Sequence, residues 1–172
     1  WMDLDRSLLG YWAMDYANST HVYGNSTYKN NGSFNGGLGT GDWVTGKRGD
    51  ALDFDGADDY INLGTSFGNT GTSNFTLTGW IKPDVVNATY KGVLGKWHTS
   101  EEMYYIRLST DNKLTGVINL GGGNIDTSSN SVLVAGTYYH FAYVVNRVGS
   151  TSLYIDGVLQ TDSEDISASS SV

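Results

Sequence analysis

The chain has 172 residues, with 18 Asp plus Glu against 10 Lys plus Arg, a formal net charge of −8 and no cysteine. That length suits one domain with its own core. The absence of any Lys/Arg cluster excludes nucleic acid and anionic membrane as natural partners, and no apolar run approaches a spanning helix, so direct membrane insertion is not expected.

The segment WMDLDRSLLGYW at the start carries neither a basic leader nor a small-residue cleavage site. The expectation is a chain that begins inside a longer protein, with residues 1–7 as an inter-domain lead-in. Leu8 to Met14 is the first strand candidate. Tyr16 to Gly41 is mostly polar, and so long an irregular segment points to binding, metal coordination or a surface loop. A short strand around Gly32 to Phe34 interrupts it. Asp42-Trp43-Val44 and Gly46 to Asp50 lead into the central stretch, Gly49 to Leu63. There Leu52 and Phe54 alternate with Asp53 and Asp55, the pattern of a half-buried strand. Asp55-Gly56-Ala57-Asp58 turns the chain, and Tyr60 to Leu63 runs on with Ile61 and Leu63 on one face.

Asn74 to Lys82 alternates with bulk on both faces, which predicts a strand central in its sheet, ended by Pro83. Tyr90 to Trp97 is next, followed by a polar turn, His98 to Glu102. Met103 to Leu108 forms a hairpin with Leu114 to Leu120 across Ser109 to Lys113, a turn rich in residues that make local side-chain bonds. Gly121-Gly122-Gly123 breaks the run. Tyr138 to Val145 pairs with Thr151 to Ile155. Asp156-Gly157 is a two-residue hairpin turn returning as Val158-Leu159-Gln160. Ser167 to Val172 reads as a truncated or disordered end. Roughly ten to twelve strands at a spacing of about 8–12 residues predict an all-β sandwich or barrel.

The motifs then fall in a known order. Leu9-Gly10-Tyr11-Trp12 with Asp15, Tyr23-Gly24-Asn25-Ser26 and Asn30-Asn31-Gly32 resemble the opening of laminin-G-like domains of the concanavalin A-like superfamily. Gly46 to Gly56 with Asp58 to Ile61, Phe75 to Pro83, His140 to Val144 and Leu153 to Gly157 continue the resemblance to about residue 160. It implies a jelly-roll β-sandwich of two antiparallel sheets, spanning residues 1–172 as a single domain of a larger multidomain protein. Such domains close with a further strand beside the first, and the sequence shows none, so the C-terminal closing strand is expected to be missing. Trp12, Trp43 and Trp80 sit in the fold signatures and are expected in the core.

Three carboxylates, Asp55, Asp58 and Asp59, crowd five positions. They either relieve their repulsion in water as a solvated turn or share a cation. A hard cation asks for clustered oxygens, which Asp15, Asn30, Asp55, Asp58, Asp59 and the Gly56 carbonyl offer. The resemblance implies a structural Ca²⁺ tying the end of the first strand to the acidic turn. Hydrolysis of glycans needs two carboxylates at fixed separation. The chain has only three Glu, Glu101, Glu102 and Glu164, and adjacent Glu101 and Glu102 diverge. A Tyr, His and Arg lyase set from His98, Tyr105 and Arg107 is the other enzymatic option. No nucleophile elbow is present, and His21, His98 and His140 lack zinc spacing. His140, in an apolar strand, is expected to be a satisfied core or near-core residue.

Sugar sites stack aromatic rings on sugar faces and add planar polar groups. Trp97, His98, Tyr105 and Arg107 cluster in and beside one hairpin. If Tyr104, Ile106 and Leu108 face the core, Tyr105 and Arg107 face out together, as a binding surface or as ordinary surface aromatics. Asn18, Asn25, Asn31, Asn74 and Asn87 open Asn-x-Ser/Thr sequons, which mark glycosylation sites if the chain is secreted. The expectation is a non-catalytic recognition or adhesion module, extracellular or at the cell surface, whose partners are a glycan or an extracellular protein and other domains of its chain. A glycan-degrading enzyme or its accessory domain, and an architectural spacer, are the alternatives.

Overall fold

The computed structural model describes residues 7–15, 18, 20–87, 89–97 and 103–169. Its chain divides into two compact units at Asn69/Thr70. The described residues form thirteen strands, and none forms a helix long and apolar enough to cross a membrane.

In the first unit, β1 (His21–Val22), β2 (Gly32–Asn35) and β5 (Tyr60–Asn62) form an antiparallel sheet in the order β1-β2-β5. β3 (Trp43–Thr45) pairs separately with β4 (Asp50–Leu52). Val22 and Leu38 are buried, and Trp12 meets Phe67 edge to face at 5.2 Å. Two expectations are corrected here. Leu8 to Met14 forms no strand. Its bonds go to one loop, Asn25 N to Tyr11 O at 2.7 Å and Trp12 Nε1 to Asn30 O at 2.7 Å, and Met14 turns out of extended backbone at φ +59°. The strand through Leu52 stops there. Phe54 is exposed beyond it, because the Asp55–Asp59 turn begins before another ladder rung forms.

The second unit is a sandwich. One sheet runs β10-β9-β8-β7, from β7 (Lys91–Lys96), β8 (Met103–Leu108), β9 (Leu114–Asn119) and β10 (Asn124–Ser128). The other runs β13-β12-β11-β6, from β6 (Phe75–Ile81), β11 (Tyr139–Val145), β12 (Thr151–Ile155) and β13 (Val158–Leu159). Period-2 alternation places Tyr104, Ile106 and Leu108 inward from β8, against Phe141, Tyr143, Val145 and Leu153 from the facing sheet. Phe75 stacks on Tyr104 at 4.5 Å across the gap. The Tyr143 ring lies over Gly116 of β9, where a side chain would collide with it.

β6 ends the described strand order of its sheet rather than lying inside it, and Trp80 is 46% exposed on the outer surface. The bulk on both faces of β6 therefore marks an outward Trp80 on a strand that is terminal among the described residues. Trp12 and Trp43 are half-buried. His140 is half-buried beside Trp80, edge to face at 5.2 Å, with its Nε2 3.1 Å from the Thr78 hydroxyl. β1 and β10 were not expected from the pattern. The chain ends, residues 1–6 and 170–172, lie outside the described residues.

Candidate functional site

The outer face of the β7–β10 sheet follows from the same alternation. With Tyr104, Ile106 and Leu108 inward, Tyr105 and Arg107 point outward. The registers build two cross-strand rows on that face. Tyr105 stands opposite Gly95, Val117 and, one strand further, Asp126; Arg107 stands opposite Gly92, Thr115 and Ser128. Gly95 is required in its row: a side chain there would lie 2.3 Å from the Tyr105 Cβ.

Arg107 organises the face. Its Nη2 donates to Asp126 Oδ2 at 2.5 Å, so the pair reaches diagonally across β9. That bridge covers Val117 and Thr115, which are buried although they lie on the outward parity. The guanidinium stacks 4.4 Å from the Tyr90 ring centroid and 5.7 Å from that of Tyr105, and its Nη1 donates to the Tyr105 hydroxyl at 3.4 Å. Tyr105 in turn lies 5.4 Å from Trp97, the planes tilted by 40°. Asn124 Nδ2 donates to the Tyr105 hydroxyl at 3.2 Å, and Asn119 Nδ2 to Asn124 Oδ1 at 3.1 Å. The result is a run of four planar groups, Tyr90, Arg107, Tyr105 and Trp97, edged by carboxamides and a carboxylate. Trp97 is 68% and Tyr90 60% exposed.

Of the expected binding residues, Trp97, Tyr105 and Arg107 are brought together here. His98, like Glu101 and Glu102, lies outside the described residues. Sequence reasoning missed three members. Tyr90 was read only as the first residue of a strand. Asn124 and Asp126 belong to β10, whose one signal was β-branched Ile125 and Thr127 at alternate positions directly after the glycine run.

In the acidic turn, one ligand atom from each of Asp55, Asp58 and Asp59 lies within 4.8 Å of the others. The turn is also knit by its own amides. Asp55 Oδ1 accepts from Ala57 N at 2.8 Å and Asp58 N at 3.3 Å. Asp59 accepts from Gly37 N at 2.8 Å and Asp55 N at 3.1 Å. Gly56 takes φ +72° at the bend. Asp15 and Asn30 are engaged elsewhere: Asp15 Oδ1 accepts from Asp50 N at 2.9 Å, and Asn30 Nδ2 donates to Leu9 O at 3.1 Å. Three carboxylates so placed fit a hard dication in charge and donor type.

All five sequon asparagines are exposed. The Asn18 carboxamide is committed at both ends, accepting from His21 N at 2.7 Å and donating to the Tyr23 hydroxyl at 3.0 Å. The others use Oδ1 as an acceptor: Asn25 from Ala13 N, Asn31 from Gly24 N, Asn74 from Arg147 N and Asn87 from the Thr89 hydroxyl.

A laminin-G family model, described as the concanavalin A-like lectin/glucanases superfamily, matches residues 55–171, more than half of the chain. The chain belongs to this superfamily. Two solved structures share its fold. Domain 4 of AbnA, a GH43 extracellular arabinanase from Geobacillus stearothermophilus, in complex with arabinotriose, superposes with a TM-score of 0.73 at 15% identity, over 91% of this chain and 74% of that one. The binding domain of Paraclostridial Mosquitocidal Protein 1 gives 0.69 at 18% identity, over 96% of this chain and 42% of that one. A comparison with curated proteins found no match. The expected all-β jelly-roll fold and the family resemblance are thus both shown.

Proposed function

We propose that this superfamily member is a non-catalytic module that binds glycan through the outer face of the β7–β10 sheet. The observation that carries the reading is the run Tyr90, Arg107, Tyr105 and Trp97. Exposed rings at both ends offer apolar faces to sugar C–H surfaces, and Asn124 and the Tyr105 hydroxyl offer edges to sugar hydroxyls. The arabinotriose held by the AbnA domain supports the reading, because a domain of the same fold takes an oligosaccharide. Hydrolysis is disfavoured on chemical grounds. It needs two carboxylates flanking a bond, and Asp126, the carboxylate that the registers place on this face, is held by Arg107.

The chain is read as one laminin-G-like domain of a larger extracellular or cell-surface protein, with a structural Ca²⁺ at Asp55, Asp58 and Asp59. The sequons at Asn25, Asn31, Asn74 and Asn87 are open to glycans if it passes a glycosylating compartment; Asn18 is the poorest acceptor, since its Nδ2 is engaged.

The test is a glycan array and affinity electrophoresis on polysaccharides, with the chain and with Trp97→Ala. The expected result is retention on at least one glycan, weakened about tenfold or more by the substitution, as loss of one aromatic stacking partner does elsewhere, with the unfolding temperature unchanged because Trp97 is mostly exposed. Binding unaffected by Trp97→Ala refutes this face as the site. Capture of an extracellular protein with no glycan retained replaces the glycan by a protein partner.

A further inference from the structure

We propose that this face selects uncharged oligosaccharides over uronate- or sulfate-bearing ones, and that Asp126 sets the selectivity by neutralising Arg107. The inference rests on the glycan-binding reading and names the ligand class for the same site.

Arg107 is the cation that the alternation puts on this face, and it is already spent: Asp126 binds it at 2.5 Å and two tyrosine rings flank it. The lysines of β7 do not replace it. Lys91 pairs with Leu108 and Lys96 with Tyr104, both on the inward parity, so the registers set these lysines on the other side. Among the described residues of this face an anionic sugar therefore finds no uncompensated cation, and it meets the half-exposed carboxylate of Asp126 within a chain of net charge −8.

The experiment is calorimetry of the chain with neutral arabino-, xylo- and gluco-oligosaccharides of two to six units and with oligogalacturonates of matched length, at low and high salt. For the wild type, affinity for the neutral ligands should be flat with salt, and the matched uronates should bind about tenfold more weakly or worse. Asp126→Asn unmasks the guanidinium and should strengthen uronate binding about fivefold or more relative to the neutral ligand, with the gain lost at high salt. Uronates bound as tightly as neutral sugars by the wild type overturn the inference but leave glycan binding standing. So does a folded Asp126→Asn variant with unchanged preference. If that variant fails to fold, the wild-type preference and its salt response decide alone. No glycan bound in any series removes the underlying reading itself.

Discussion

Gly116→Ala tests the packing on which the sandwich depends. A Cβ at position 116 would lie 2.4, 2.5 and 2.6 Å from Cδ2, Cε2 and Cγ of Tyr143. Carbon atoms rest at about 3.5–4.0 Å, so the ring must retreat by about 1 Å or more. It has little room. Tyr143 is fully buried, and β11 is bonded on one side to β6 and on the other to β12, with Leu77 and Leu153 opposite Tyr143. Overpacking of this kind costs about 1–3 kcal/mol, offset by about 0.5–1 kcal/mol from replacing a strand glycine, for a net loss of about 1–2 kcal/mol. With a urea slope of about 2 kcal/mol/M, mid-range for a small protein, the unfolding midpoint should fall by roughly 0.5–1 M. Gly92→Ala is the control: the same sheet, but nothing within 4 Å of its Cβ, so it should keep the gain of about 0.5–1 kcal/mol from replacing a strand glycine and raise the midpoint slightly. A Gly116→Ala midpoint at or above the wild-type value would refute the placement of the Tyr143 ring across β9.

Burial pushes the Tyr143 phenol well above its ordinary range; the Thr127 hydroxyl, engaged with Thr151 at 2.6 Å, offsets this only in part, and the Asp126 charge adds to it. The unfolded chain therefore releases this proton from about pH 10 while the folded one keeps it, so stability should fall as pH rises beyond about 10. Tyr143→Phe should flatten that fall in denaturant titrations, and an equally steep decline in both proteins would count against the assignment. At the β12–β13 turn, Asp156 (φ +49°) and Gly157 (φ +80°) form a two-residue turn of type I′ sense. Gly157→Ala should cost about 1 kcal/mol or more and lower the unfolding temperature, whereas Asp156→Asn, tolerant of the same region, should cost less; the two are compared by calorimetry. If Asp55, Asp58 and Asp59 hold Ca²⁺, saturation at about 100 times Kd should add about 2.7 kcal/mol, visible as a raised unfolding temperature that chelator or Asp58→Ala removes. No rise at millimolar Ca²⁺ would leave the amide bonds of the turn as the whole explanation of the cluster.

The parts of the fold that were legible in the sequence are those governed by local rules. Met103 to Leu108 alternates, and alternation alone places Ile106 inside and Arg107 outside. Asp156-Gly157 marks its hairpin because only certain residues take two successive left-handed positions. What local rules do not reach is partner choice. Leu8 to Met14 has a strand's composition, yet Met14 leaves the extended region and its neighbours bond to one loop instead of a ladder. Trp80 alternates correctly, but bulk on a strand's second face does not say whether another layer covers it; here 46% of it remains exposed.

The candidate site divides in the same way. Trp97, Tyr105 and Arg107 were visible as a group because they flank one short connection and share a parity. Tyr90 was within reach of the same reasoning, being one residue ahead of β7. Asp126 was not. It sits 19 residues from Arg107 and meets it only because β9 and β10 pair in a register that sets Asp126 opposite Val117 and hence diagonal to Arg107. Linear sequence therefore displays a cation among aromatics, which reads equally well as a seat for an acidic ligand. The three-strand register turns that cation into half of a compensated pair. Whether this face meets anions or neutral hydroxyls is for that reason a tertiary property, and changing Asp126 is a sharper probe of ligand class than removing any of the rings.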